Sequence, residues 1–408
     1  MKKVISLLFS VIFLLCGCTY QNESETTTVQ PFIKENADDY VKAIWLTYYE
    51  LSDLIKDKSQ AEFERAAIDA FDKLYSMGFN TVCVQVRAFA DAFYESDYFP
   101  VSKYCFQNEG RELKYDVLKI LCSACENRSM KLEAWINPYR VSFDNDIEKL
   151  SDGSIAKRWY SDKKKKSNVY ICDKGIFFNP ASEDVKKLII SGAVEVAQKY
   201  NVSAIHFDDY FYPDKSKKID SREYKAHGGG KSLSQFRRDN VSDMIKRVNK
   251  AVKAVNSDIR FGISPSSNIS SDYSDLYADV EKWAKDMQYC DYICPQVYFG
   301  FKNVYQPFMF TVKKWIEISN KDLYIGLPLY KSGRADKYAA QNDESAINEF
   351  KKSKNIIARQ INYLAKLDDI KGFYVFSYSS LFEEKSKNEV ENMIKAIRNT
   401  HPNQSHNE

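Results

Sequence analysis

The sequence predicts an α/β protein in which eight parallel strands close into a (β/α)8 TIM barrel. Three observations predict this fold. Short runs of β-branched and aromatic residues recur along the 408-residue chain, segments with helical periodicity separate them, and the runs number eight. Strands that alternate with helices of this length indicate right-handed crossovers and a parallel sheet, and eight such units are the number that closes a barrel.

Each predicted strand is a nearly continuous apolar run, as expected of a parallel strand that is buried on both faces. In chain order the strands are residues 42–49, 81–88, 131–138, 204–211, 260–265, 291–298, 323–330 and 372–379. The segments between them place apolar residues at helical spacing. These predicted helices include residues 61–77, 115–128, 183–200, 234–255 and 273–288.

The barrel domain is predicted over residues 39–399, which exceeds the roughly 250 residues typical of the fold. The excess predicts long insertions. One follows strand three, over residues 139–182, and the other follows strand four, over residues 212–233. Because both follow the carboxyl ends of strands, where barrel enzymes place their active sites, either one can wall a substrate cleft.

The amino-terminal segment has the features of an export signal. Two lysines precede a twelve-residue apolar stretch, Val4 to Leu15, which is shorter than the roughly 20 residues that span a bilayer. The following Leu15-Cys16-Gly17-Cys18 resembles the bacterial lipobox, in which the last cysteine becomes a lipidated amino terminus. We therefore expect a signal peptide over 1–17, a lipid on Cys18, a flexible tether over 18–38 and a polar tail over 400–408. The protein would then be a membrane-anchored lipoprotein of the cell envelope, and a plain secretory peptide is the alternative.

Composition and missing motifs narrow the classes of function. The 59 Lys and Arg residues against 56 Asp and Glu leave a net charge of +3, without the basic excess of a nucleic-acid-binding protein. Only four histidines are present, and none forms the H-E-x-x-H motif of a zinc hydrolase. We expect neither a metal nor another cofactor. Since the dinucleotide-binding, P-loop and nucleophile-elbow motifs are also missing, carboxylates and aromatic residues must perform the chemistry.

Polar residues cluster at the carboxyl ends of strands two to six, and the adjacent Asp208 and Asp209 are the sharpest feature. Strand pleating should send their two carboxylates to different sides. Glycoside hydrolysis commonly uses one carboxyl group as the acid and another as nucleophile or base. Asp208 with either Asp209 or Glu133 could supply that pair. His206 lies earlier in the strand and is expected to be an interior residue that orients Asp208.

Further strand-end residues are candidates for binding substrate, because flat aromatic rings suit the C–H faces of sugars and polar groups suit their hydroxyls. These candidates are Trp45, Gln85, Arg87, Trp135, Asn137, Tyr139, Arg140, Tyr210, Tyr212, Ser264, Gln296 and Tyr298.

Several of these segments together resemble the bacterial glycosyl hydrolase-like 10 family, also described as family 10 glycosidase-like lipoproteins. The matching segments are residues 43–47, 78–81, 85–87, 91–94, 134–141, 205–213, 238–240, 261–265 and 295–298. The resemblance implies a TIM-barrel glycosidase of the cell envelope that cuts peptidoglycan glycan strands, notably strands that amidases have stripped of peptides. The chain departs from the family pattern at residues 266–268, after the proline that ends the fifth strand.

For an N-acetylated glycan, the adjacent acids also resemble those of substrate-assisted glycosidases. In these enzymes the first acid holds the 2-acetamido group and the second is the general acid. Two further functions stay open: hydrolysis of another extracellular polysaccharide, and glycan binding without catalysis. A binding protein has no need for the Asp208–Asp209 pair.

Overall fold

The computed structural model describes residues 40–106 and 113–400, and its strands form one barrel and one small sheet. In chain order the strands are β1 (Val41–Leu46), β2 (Thr81–Arg87), β3 (Lys131–Ile136), β4 (Arg140–Ser142), β5 (Val169–Cys172), β6 (Gly175–Phe178), β7 (Ala204–Phe207), β8 (Arg260–Ile263), β9 (Tyr292–Ile293), β10 (Asp322–Leu327) and β11 (Ile370–Phe376).

The barrel follows the order β1-β2-β3-β7-β8-β9-β10-β11, and β11 pairs again with β1. Every pairing in it is parallel. Each of these eight strands overlaps one predicted strand. The predicted TIM barrel is therefore confirmed.

The helices lie outside the barrel or in the connections between its strands. In chain order they are α1 (Tyr48–Ile55), α2 (Gln60–Ser76), α3 (Val117–Glu126), α4 (Ile155–Ser161), α5 (Glu183–Lys199), α6 (Ser221–His227), α7 (Leu233–Val255), α8 (Ile269–Ser274), α9 (Val280–Lys285), α10 (Phe308–Ile318), α11 (Glu344–Ile347), α12 (Glu349–Lys352), α13 (Ile356–Leu364) and α14 (Lys387–Asn399). Capping side chains fix where several helices begin: the side chains of Ser59, Ser182 and Ser232 cap the amino termini of α2, α5 and α7.

One predicted helix is wrong. One helix was predicted over residues 273–288, whereas the structure has two short helices, α8 and α9, which together span residues 269–285. Tyr277 between them has a left-handed backbone with φ of 54°, which interrupts the helix, and Asp279 then caps α9. The apolar spacing continues across this break, so periodicity alone did not reveal it.

Both predicted insertions are present. The one after β3 contains α4 and an antiparallel sheet of order β4-β6-β5, and the one after β7 contains α6. The connections after β2 and β10 are also long, and these two were not predicted from the sequence. All four follow the carboxyl ends of barrel strands, so they surround the mouth where an active site is expected.

Aromatic rings fill the barrel below its mouth. Trp45, Tyr292, Tyr324 and Tyr374 belong to a buried cluster inside the strands. Gly262 makes room for it, because a Cβ at this position would lie 1.9 Å from the Tyr292 ring. The interior is therefore packed, and a glycan can only bind above it.

No helix of residues 40–106 and 113–400 has the length and apolar character that crossing a membrane requires. The predicted signal peptide, Cys18 and the tether lie outside the described residues, as does the polar tail beyond residue 400.

Candidate active site

Asp208 is the first residue after β7 and is buried at the barrel mouth, with 2% of its surface exposed. Two side chains from the end of the neighbouring strand β3 donate to it. The Trp135 Nε1 lies 3.1 Å from its Oδ2, and the Asn137 Nδ2 lies 3.1 Å from its Oδ1. Burial raises the pKa of Asp208, while the Arg140 guanidinium and both hydrogen bonds lower it. The carboxylate is thus held in one orientation by donors that favour its charged form.

Asp209 is partly exposed and contacts the Gln296 side chain, whereas Asp208 contacts Trp135 and Asn137. Burial raises its pKa to about 7, and the neighbouring Asp208 charge acts in the same direction. The Gln296 side chain, which donates to the Ser264 carbonyl at 3.0 Å, lies against it and lowers the pKa. The two acids therefore differ in environment: donors from the end of β3 hold Asp208, and Asp209 lies beside Gln296 with its pKa raised to about 7.

Arg140 lies beside the acids inside a group of aromatic rings. Its guanidinium carbon is 5.0 Å from the Phe89 ring centre, 4.6 Å from that of Phe143 and 4.7 Å from that of Tyr210. The side chain is buried, and its Nε donates to the Ala88 carbonyl at 3.2 Å. Phe143 and Tyr210 are 57% and 50% exposed, so they form the open rim. We call Arg140, Phe89, Phe143 and Tyr210 the Arg140 box.

Three other predicted residues line the barrel mouth or its wall. Tyr298 is partly exposed and packs 5.8 Å from the Phe376 ring. Ser264 is buried, and its hydroxyl has no hydrogen-bond partner among the described residues. Gln85 is also buried and accepts a 3.2 Å hydrogen bond from the Tyr48 backbone, which gives it a role in the wall.

Arg87 differs from the prediction that placed it at the mouth. The pairing of β2 with β3 shifts register between Gln85 and Arg87, which breaks the alternation of inward and outward side chains. Arg87 packs 4.2 Å from the Phe99 ring and against Gly192 of α5, where a Cβ would lie 2.1 Å from its Nη1. Its side chain therefore points to the surrounding helices, away from Asp208.

Tyr212 also lies away from the acids. Its hydroxyl donates to the Asp220 carboxylate at 3.1 Å, and the Arg237 guanidinium lies 4.9 Å from its ring. This contact stabilises the insertion after β7. Trp45 and Tyr139 are buried as well, and Trp45 packs 5.1 Å from the Tyr374 ring inside the barrel. The positions of Tyr212, Trp45 and Tyr139 therefore do not favour direct contact with a substrate.

Glu133 lies deeper than predicted, because it is the third residue of β3 and precedes Asn137 by four positions. The Tyr374 hydroxyl lies 2.8 Å from both of its carboxylate oxygens, and the Tyr292 hydroxyl donates to Oε2 at 3.0 Å. Burial raises the pKa of Glu133, and both tyrosine hydrogen bonds lower it. The carboxylate is therefore satisfied inside the barrel, below the Asp208–Asp209 pair.

His206 is an interior residue, as predicted. Its Nδ1 lies 2.9 Å from the Tyr292 hydroxyl, and burial lowers its pKa to about 3, so the ring is neutral. The residues that orient Asp208 are Trp135 and Asn137, so the predicted orienting role of His206 is wrong.

Cys83, Glu133 and His206 offer ligand atoms that all lie within 4.8 Å of one another. A metal would require the thiolate of Cys83, whereas burial raises the pKa of this thiol well above its usual range. Two tyrosines already hydrogen-bond Glu133. The group fits a neutral, hydrogen-bonded core, and the expectation that the chemistry needs no metal stays a prediction.

We expect Glu133→Gln to leave kcat within a few-fold of the wild-type value, because Glu133 lies below the mouth. The free energy of unfolding of the variant should fall by about 1–3 kcal/mol. The glutamine amide has one acceptor oxygen where the carboxylate has two, and two buried tyrosine hydroxyls donate to that carboxylate. Thermal unfolding and steady-state kinetics on the same preparation measure both effects. A loss of activity of about a hundredfold or more in a folded variant would instead favour Glu133 as a catalytic partner of Asp208.

Asp272 is a buried acid near the pair that the sequence analysis missed. It lies in α8, and burial raises its pKa to about 8, with a contribution from the Asp209 charge and an opposing one from the Ser266 hydroxyl. The helix prediction began at residue 273 and so excluded it. The cap residue Asn268, four positions earlier, was the available signal for the true start of this helix.

Asp272→Asn should stabilise the fold at alkaline pH. The native pKa of about 8 exceeds the ordinary 3.8, so the native state binds a proton that the unfolded state releases, and stability falls as pH rises between these values. We expect the variant to have a higher Tm than the wild type, with a larger difference at about pH 9 than at about pH 5. Asp275→Asn is the control, because Lys215 lowers the pKa of Asp275 and its loss should not stabilise. A Tm of Asp272→Asn below that of the wild type at alkaline pH would contradict this assignment.

Comparison with known proteins gives this site a family context. The model of the family described as Glycosyl hydrolase-like 10 matches residues 40–343. This chain belongs to the Glycosyl hydrolase-like 10 family. The match includes β1 through β10 and both aspartates of the mouth, so the resemblance found in the sequence is confirmed, and with it the predicted class of enzyme, a glycoside hydrolase.

Curated relatives carry the same type of name. The chain is 31% identical over 328 residues to the glycosyl hydrolase YngK of Bacillus subtilis, an alignment that covers 74% of this chain and 63% of the relative. It is 28% identical over 374 residues to the glycosyl hydrolase DigH of Escherichia coli K12, covering 81% of this chain and 84% of the relative. The chain thus matches less than two thirds of the length of YngK.

Solved structures show the same fold at low identity. The glycoside hydrolase domain of PgaB (BpsB) from Bordetella bronchiseptica superposes with a TM-score of 0.56 at 10% identity, covering 88% of this chain and 99% of that domain. The alpha-L-fucosidase isoenzyme 2 of Paenibacillus thiaminolyticus has a TM-score of 0.53 at 12% identity, covering 88% of this chain and 49% of that protein. These similarities show that the chain shares the barrel fold with both proteins, and they carry no information about its chemistry.

Proposed function

We propose that this protein is an envelope-anchored glycoside hydrolase that cleaves peptide-stripped peptidoglycan strands, with Asp208 and Asp209 as its catalytic carboxyl groups. The observation that supports this most strongly is the difference between the two acids. Asp208 is fixed by two donors, and Asp209 has a pKa of about 7, in the range of a general acid. Paired carboxyl groups in unlike environments are the arrangement that glycoside hydrolysis uses.

The roles follow from these environments for an N-acetylated sugar. Asp208 accepts a hydrogen bond from the 2-acetamido N–H and orients the acetamido carbonyl oxygen toward the anomeric carbon. As that oxygen bonds to the carbon, the glycosidic bond breaks and Asp209 gives its proton to the leaving oxygen. The Asp209 carboxylate then takes a proton from a water molecule that attacks the same carbon, which restores the acetamido group and the acid.

The alternative pair of Asp208 with Glu133 has weaker support. The Glu133 carboxylate is enclosed by tyrosine hydroxyls inside the barrel, so a sugar bound at the mouth does not reach it. Support for the substrate comes from the family to which the chain belongs and from the aromatic rim beside the acids. The proposed envelope location rests on the sequence around Cys18, which resembles a lipobox.

The test is mass spectrometry of products after the full chain is incubated with intact peptidoglycan, amidase-stripped strands and a neutral polysaccharide. We expect oligosaccharides from the stripped strands. Products from the neutral polysaccharide alone would favour the other substrate class, and glycan affinity without products would favour a binding protein.

The lipid anchor has a separate test. Cys18→Ala should move the protein from the membrane fraction to the soluble fraction, and an unchanged distribution would exclude lipidation at this residue.

A further inference from the structure

Arg140 and Arg237 are both deeply buried arginines, but they differ in their partners. Arg237 forms two 2.8 Å hydrogen bonds with the Asp220 carboxylate, and both side chains are fully buried. Arg140 is 5% exposed, yet within the described ranges no carboxylate lies within 4.0 Å of its guanidinium. Aromatic rings surround it instead, and the Tyr210 hydroxyl is its neighbour. Asp208 and Asp209 act on it only as charges beyond ion-pair distance, so among the described residues no carboxylate occupies its guanidinium N–H donors, and a ligand carboxylate can bind there.

The Arg140 box is also fixed relative to the catalytic acids. The Arg140 backbone N–H donates to the Asn137 Oδ1 at 2.9 Å, and the amide nitrogen of the same Asn137 donates to Asp208. The turn between β3 and β4 therefore positions both groups together. A sugar whose acetamido group contacts Asp208 would place a neighbouring substituent at the box.

The chemistry of the box suits a carboxylate on a sugar. An arginine guanidinium binds carboxylates through two parallel N–H donors, and the exposed rings of Phe143 and Tyr210 provide flat surfaces for sugar C–H groups. In a peptide-stripped strand every muramic acid residue carries a free lactyl carboxylate. In an intact strand the same carbon is an uncharged amide that leads into the peptide.

We propose that the Arg140 box binds the free lactyl carboxylate of muramic acid and so selects stripped strands over intact ones. This inference deepens the proposed function and rests on it. Arg140 is then a specificity-determining residue, and its effect should appear in KM for substrates that carry the charge.

The experiment compares stripped strands with the same strands after their lactyl carboxylates are converted to methyl amides. For the wild-type protein we expect KM to rise about ten- to hundredfold on the amidated strands, which is the range of charge-assisted hydrogen bonds. For Arg140→Gln we expect KM on stripped strands to be as high as the KM of the wild type on amidated strands. Amidation of the strands should then raise the KM of this variant little further. Arg140→Lys should recover part of the preference. Arg359→Gln is the matched control, because Arg359 also lies over an aromatic ring, 4.5 Å from the Phe301 centre, but on the outer helix α13.

Each other outcome has a defined meaning. Equal KM values of the wild type on both strand types would overturn the proposal and leave the glycosidase function intact. A fall of kcat in Arg140→Gln on all substrates with a shifted pH profile would mean that Arg140 acts only through the pKa of Asp208. If the protein cleaves a polymer of uronic acids at the same rate as stripped strands, the Arg140 box is still a carboxylate site, but its ligand is not specifically the lactyl group. If no strand is cleaved, the proposed function fails, and calorimetric binding of the two strand types still decides whether the box recognises the carboxylate.

Discussion

Asp209→Asn is expected to lower kcat on stripped glycan strands by about 10²- to 10⁴-fold, the usual contribution of general acid–base catalysis. Asparagine keeps the shape of the side chain and cannot give a proton to the leaving oxygen. A substrate with an activated leaving group, such as a dinitrophenyl glycoside of the same sugar, needs no such proton. The variant should therefore retain most of its first-step rate on that substrate.

The pH profile provides a second measurement on Asp209. Its pKa is raised to about 7, so the acid is protonated below this pH and loses its proton above it. For the wild type we expect kcat/KM on strands to decline above about pH 7. This decline should be absent in Asp209→Asn. An Asp209→Asn variant with near-normal turnover on strands would exclude Asp209 as the acid.

Asp208→Asn is expected to cause a loss of similar size, with a different dependence on the leaving group. Because Asp208 orients the acetamido group, its loss should impair N-acetylated substrates whether or not their leaving group is activated. The measurement is the same kinetic comparison on strands and on the dinitrophenyl glycoside. Rescue of Asp208→Asn by the activated substrate would contradict the assignment of roles, and full activity on strands would exclude the substrate-assisted scheme.

Asp214→Asn serves as the control for both variants. This third aspartate follows the pair in the same connection, and its carboxylate accepts a 3.1 Å hydrogen bond from the Tyr170 hydroxyl. The substitution should change kcat by less than about twofold, because surface substitutions away from a site have small effects.

The barrel could be predicted from the sequence because apolar strands and periodic helices are local patterns. The Asp208–Asp209 pair could be predicted for the same reason, since the two residues are adjacent and directly follow a clear strand. Asn137 and Trp135 lie on the next strand, and their contacts with Asp208 follow from the parallel pairing of β3 with β7.

The remaining site residues depend on geometry that the sequence does not encode locally. Arg87 points away from the mouth because β2 shifts register before it, and no residue type signals that shift. Glu133 was assigned to a strand end, but side-chain alternation does not give the depth of a residue along a strand. The tyrosines that satisfy it, Tyr292 and Tyr374, are 159 and 241 residues away in the chain.

The Arg140 box illustrates the same limit. Arg140 and Tyr210 were identified as candidates, whereas Phe89 and Phe143 were not, because isolated phenylalanines in connections carry no signal of a shared site. Asp272 was missed because a helix was predicted to begin one residue after it. These residues come together only when the connections after β2, β3, β7 and β8 surround one mouth.

The most direct test of the central claim uses stripped strands in water enriched in heavy oxygen, with the wild-type protein and Asp209→Asn side by side. Mass spectrometry of the products reports both cleavage and the source of the new oxygen. If Asp208 and Asp209 form a hydrolytic centre, the wild type should release oligosaccharides whose new reducing ends carry one heavy oxygen, and the variant should release almost none. Products without the heavy oxygen, or equal release by both proteins, would contradict the claim.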